Sequence, residues 1–159
     1  MRLKLVFHLF LAVGFAVAAL ARDGDDRSGR NGGGTPAHTS LRGVLVIASN
    51  EPGQPDPQLA AYEPTLRRIL RFESYRAAGG GSATISVPGE GSASLGRGHR
   101  LDFTTEASDG EGLRVRVRWS DGSHVFMNTG LVLRRGVPVV LGGPARSEGG
   151  VYAVIIIAE

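Results

Sequence analysis

Leu113, Val115, Val117 and Trp119 alternate with Arg114, Arg116, Arg118 and Ser120. That period of two predicts a strand with one dry face and one wet face. Asp121-Gly122 interrupts the run with a dipeptide that tolerates the positive φ of a two-residue hairpin turn, so His124–Leu133 is expected as the returning strand. A second break at Arg134-Arg135-Gly136 leads into the apolar run Val137–Leu141, which Gly142-Gly143-Pro144 closes. The pattern predicts an antiparallel meander at the centre of the protein, covered by other segments.

Upstream, Leu41–Ser49 is a short apolar run suited to a buried strand. The prolines at 52, 55 and 57 exclude helix and central strand, so residues 50–57 form a loop long enough to serve a function. Asp56 can cap a helix with Pro57 at its first position, and Leu59, Tyr62, Leu66, Ile69 and Leu70 fall near one side of it. Pro64 is expected to kink or restart that helix. Short strands are expected over Phe72–Ala77, Ser82–Val87, Gly91–Leu95 and Arg100–Glu106. Gly79-Gly80-Gly81 is read as a turn between them and Gly89-Glu90-Gly91 as a hairpin tip. Strands at roughly ten-residue spacing define the expected fold class: an antiparallel β-sandwich or small barrel with one short helix near the N-terminus of the domain.

Register can be tested on paper. A loop centred near Asp109-Gly110 sets Glu106 opposite Arg114, Thr104 opposite Arg116 and Asp102 opposite Arg118, with Leu101, Phe103 and Thr105 on the face of Trp119. Both faces of that hairpin agree. The next hairpin does not: a turn centred on Asp121-Gly122 pairs Trp119 with His124 and puts Val125, Met127, Leu131 and Leu133 on the arginine face. Either a bulge near Asn128-Thr129-Gly130 flips the parity, or that end of the sheet is covered on both sides. Val151–Ala158, VYAVIIIA, is nearly continuous in β-branched residues and is expected to be a central strand buried on both faces.

The N-terminus changes the setting of this domain. Arg2 and Lys4 precede an apolar run, Leu5–Ala19, and the ending Ala19-Leu20-Ala21 has the small-x-small form of a signal-peptidase site. Residues 1–21 are therefore expected to be a signal peptide, 22–40 a flexible linker of charged, glycine and small polar residues, and 41–159 a single β-rich domain. The expected location is periplasmic or secreted, with no stable membrane span after cleavage. The chain has no cysteine, so no disulfide can staple the fold and no lipobox thiol exists. Removing Arg2 and Lys4 from the 18 basic residues leaves 16 against 15 acidic ones. The pI of 9.9 is thus no sign of a nucleic-acid partner, and none is expected.

Candidate chemistry is sparse. His99 and His124 sit in no metal-ligand spacing, and Asp23, Asp25 and Asp26 lack the further oxygen ligands of a calcium loop, so neither metal nor cofactor is expected. Asp121, His124 and a serine such as Ser74, Ser120 or Ser123 supply the residue types of a hydrolytic triad without its signature. No catalytic residue is assigned, and His124 is expected to stack on Trp119. Two arginine groups are the speculative binding residues: Arg67, Arg68 and Arg71 on the helix, and Arg114, Arg116 and Arg118 on the strand. Each is also accounted for as a wet face, the strand group neutralised by the acids opposite it.

Asn50-Glu51-Pro52-Gly53, the block Leu70–Arg76, and Arg134–Pro138 through Gly142-Gly143-Pro144 resemble small exported bacterial domains of uncharacterised function. The resemblance spans 41–159 and rests on glycine, proline and apolar positions, so it carries fold and no site. The expected function is that of an exported non-catalytic β-domain with a binding or structural role, acting through an envelope protein. The alternatives are an anion or glycan binding module using the surface arginines, with an anionic glycan as its possible partner, and an uncharacterised hydrolase.

Overall fold

A computed structural model describes residues 37–106 and 112–159. The expected signal peptide, linker residues 22–36 and the loop 107–111 lie outside the described residues. In chain order the elements are β1 (Ala37–Ser49), a 3-10 turn (Pro57–Leu59), α1 (Glu63–Leu70), β2 (Ser74–Val87), β3 (Gly89–Gly96), β4 (His99–Thr105), β5 (Leu113–Asp121), β6 (His124–Leu133), β7 (Val139–Ala145) and β8 (Val151–Ala158). They build two antiparallel sheets, β2-β1-β8-β7 and β3-β4-β5-β6, without a closed barrel. Among the described residues the fold is a β-sandwich with one short α-helix.

Two apolar layers follow from the alternation along the strands. Leu41, Leu45, Val154 and Ile156 of one sheet meet Leu101, Phe103, Val115, Val117 and Trp119 of the other. On the far side of the first sheet, Val46, Ala153 and Ile155 pack with Leu59 of the 3-10 turn and Leu66 of α1. β8 lies between β1 and β7 and feeds both layers, which is why its sequence has almost no polar position.

The expected register of the β4–β5 hairpin is the one adopted, with Asp102 opposite Arg118 and Thr104 opposite Arg116. The β5–β6 turn differs. Asp121 pairs with His124, so Gly122 and Ser123 are the central residues, with Gly122 at φ 51° as the first position of a II′ turn requires. Phe126 is then the extra residue between the pairs Ser120–Val125 and Trp119–Met127. This bulge precedes the expected site at Asn128-Thr129-Gly130. It returns Met127, Leu131 and Leu133 to the inner face and leaves Val125 and Val132 exposed outside.

Four further expectations are corrected. The central meander does not form, because β7 leaves β6 and pairs with β8 in the other sheet. The corner is made at Gly136, with φ 72°, whose N–H donates to the Ala158 carbonyl at 2.8 Å. Gly79-Gly80-Gly81 is no turn but the middle of one long strand, β2, where a Cβ on Gly79 or Gly81 would strike the carbonyl oxygens of Leu95 or Ser94 in β3. Those glycines let the two sheets close upon each other along that side. Gly89 and Glu90 belong to β3, the connection from β2 being made at Pro88. Finally, 37–40 are strand rather than linker, pairing with 84–87 of β2.

Pro64 restarts the helix rather than kinking it: the Asp56 side chain caps the separate 3-10 turn by accepting Gln58 N–H at 2.9 Å, and α1 begins at Glu63. Leu66 and Leu70, four apart, face the sheet, whereas Ile69 lies off that stripe and is 48% exposed.

Candidate functional site

At one end of the sandwich the β3–β4 turn, the β7–β8 turn and the loop 50–56 border two adjoining clefts of about 330 and 350 Å³. Both are lined by Arg97, Arg146 and Glu148. Arg97 stands at the β3–β4 turn with φ 53°, flanked by Gly96 and Gly98 at 84° and 83°. This left-handed backbone suits a I′ turn and lifts the arginine clear of the sheet. Arg97 is exposed and has no ion pair among the described residues.

Arg146 is held, not free. Its guanidinium donates to Glu148 Oε2 at 2.6 Å and to the Gly149 carbonyl at 3.3 Å, and its Cζ lies 5.4 Å from the Tyr152 ring centre. Beneath it the rings continue inward, Tyr152 to His99 at 4.5 Å and His99 to Trp119 at 5.8 Å, with Phe126 at 5.7 Å from both His99 and Trp119. A Cβ on Gly143 would collide with the Trp119 ring, so β7 carries glycine where that ring crosses it.

Trp119 Nε1–H donates to His99 Nδ1 at 3.2 Å, which makes Nδ1 an acceptor and assigns the imidazole proton to Nε2. Burial lowers the His99 pKa from its ordinary 6.5; Asp121 partly opposes this and Arg97 reinforces it. With Nδ1 occupied, His99 is a donor toward its surroundings. His124, expected on Trp119, instead lies near Phe126 with ring centres 6.2 Å apart. Among the described residues no serine hydroxyl is bonded to either histidine; Ser74 Oγ donates to the Ser49 and Glu51 carbonyls and fastens the loop. Nor do the described residues hold a group of His, Asp or Glu that could bind a metal, or a helix long and apolar enough to cross a membrane.

The arginines singled out in the sequence fall on two separate faces. Arg67 pairs with Glu63 at 2.8 Å and lies 5.7 Å from the Tyr75 ring centre; Arg68 is exposed on the same helix, and Arg71 is exposed just past its end, in the left-handed conformation at φ 56°. Arg114, Arg116 and Arg118 lie on the outer face of the second sheet, with Asp102 taking both Arg118 at 3.4 Å and Arg100 at 2.6 Å. Arg116 is opposite Thr104 and Gly130 and meets no carboxylate there. The end crevice was not visible in the sequence, because Arg97, His99, Arg146 and Tyr152 come from separate strands and turns and show no common spacing. The one local signal is Gly96-Arg97-Gly98, an arginine between two turn glycines.

Comparison with protein-family models, with curated proteins and with solved structures found no match.

Proposed function

We propose that this chain is an exported, non-catalytic β-sandwich that binds a protein partner in the bacterial envelope or outside the cell, using the crevice beneath Arg97. The observation that carries the reading is Arg97 itself: an exposed guanidinium, without an ion pair among the described residues, on a turn at the joint of two clefts. Around it the rim mixes Arg146, Glu148, Glu51 and Asp121 over the Tyr152 and His99 rings. Charges of both signs over an aromatic floor suit a polypeptide segment, which offers both donors and acceptors, better than a uniformly acidic polymer.

Cross-linking and co-purification from the native envelope test this. Arg97→Asn removes the charge with a residue that tolerates positive φ. A single captured protein whose affinity falls roughly tenfold to a hundredfold in the variant is the expected result, the loss of one charge-assisted hydrogen bond. Unchanged capture would reject the crevice. A second reading, an anionic glycan on the strand arginines, is favoured by Arg116 alone, which has no acid opposite it. Salt-sensitive retention on acidic polysaccharide, lost in Arg116→Ala and kept in Arg97→Asn, would establish that reading instead.

A further inference from the structure

Each sheet of a sandwich has two edge strands whose outward N–H and C=O groups can template pairing with another chain, and folds protect such edges with prolines, charges, bulges or covering segments. Three of the four edges here are protected by more than a bulge. β3 is closed by β2 through the glycines at 79 and 81. β2 is met at Ala77 by the loop before it, where Asp56 Oδ2 accepts Ala77 N–H at 2.8 Å. β7 contains Pro144 and a bulge between Gly142 and Ala145. β6, paired on one side with β5, is interrupted only by the bulge at Phe126, and Val125–Leu133, VFMNTGLVL, has neither charge nor proline.

The geometry points to β6 as a self-association edge, where a second copy of this chain adds its own β6 antiparallel across a twofold axis at Thr129. The occupant follows from the strand's self-complementarity. With Thr129 opposite Thr129 of the second copy, Asn128 meets Gly130 and Met127 meets Leu131, each pair on one face. Because Phe126 is a bulge residue, Val125 comes opposite Val132. These are the two apolar side chains that β6 leaves exposed, at 43% and 50%. No like charges are brought together, and Arg134 and Arg135 immediately beyond Leu133 limit the paired length. The pairing joins the two outer sheets into one and leaves the crevice at Arg97 outside it.

The absence of cysteine makes the register directly testable. Opposed residues on paired antiparallel strands lie ~4.5–5.5 Å apart at Cα, within the range a disulfide spans. Copies of Val132 would lie ~20 Å apart at the strand rise. Sedimentation of the purified protein should give twice the chain mass, and mild oxidation should link Thr129→Cys about tenfold or more faster than Val132→Cys. On the unaltered chain, amide exchange at 127–133 should slow as concentration rises, which decides the matter even if Thr129→Cys disturbs the fold. A monomer throughout the micromolar range, equal cross-linking at both positions, or concentration-independent exchange would overturn the proposal.

Discussion

His99 is 3% exposed, and its surroundings lower its pKa from the ordinary 6.5. Burial disfavours the imidazolium, and the Trp119 N–H occupies the nitrogen that a second proton would need. The native state therefore binds this proton less readily than the unfolded chain. The stability that follows is fully present above pH 6.5 and is lost as pH falls through the lowered native value. Acid should reduce the melting temperature of the wild type more steeply below pH 6.5 than that of His99→Gln, in which an amide oxygen can still accept from Trp119 and nothing titrates. Parallel slopes in thermal scans from pH 7 to 4 would show that His99 stays solvated. In the sequence, His124 is the histidine closer to Trp119. Which one reaches the indole is decided by the turn starting at Asp121 and by the bulge at Phe126, neither of which changes the hydrophobic pattern.

At the scale of elements, glycine was the most misleading letter. Gly79-Gly80-Gly81 looks like punctuation, yet it lies within a strand because another backbone passes too close for any side chain. Local sequence cannot separate these two uses of glycine, since the difference lies in what crosses from the other sheet. The distinction has a measurable consequence. Gly81→Ala would drive its methyl into the Ser94 carbonyl, a backbone group that cannot rotate away, and should cost ~1–3 kcal/mol or more in denaturant unfolding. Gly142→Ala, whose methyl would meet only Leu70 Cδ2 at 3.6 Å, should change stability little. Equal losses would mean that both positions respond to backbone freedom alone. By contrast the β4–β5 hairpin was legible throughout, since apolar partners and opposite charges fix one register from both faces at once.

For the whole molecule, strand spacing and period pointed to a sandwich or small barrel, but not to which of the two, nor to the crossing between sheets after Arg134-Arg135-Gly136. A break states only that one strand ends; whether the next returns beside it depends on where β8 waits, and β8 is the last element of the chain. Position in the fold then gives β8 a weight that its position in the sequence hides. It is hydrogen-bonded to β1 on one side and β7 on the other, and Val154–Ala158 are all 6% exposed or less. A fully buried large apolar side chain contributes ~1.5–3 kcal/mol, and a typical domain retains only ~5–15 kcal/mol in all. Deleting Val154–Glu159 removes Val154, Ile155, Ile156 and Ile157 from two cores together and leaves β1 and β7 without the strand between them. The truncated chain should show no cooperative melt by circular dichroism and should aggregate through the exposed edges of β1 and β7. A strand kept merely for donation to a partner would behave otherwise: the shortened protein would still melt cooperatively as a soluble species and lose only its partner, an outcome incompatible with β8 as the centre of its sheet.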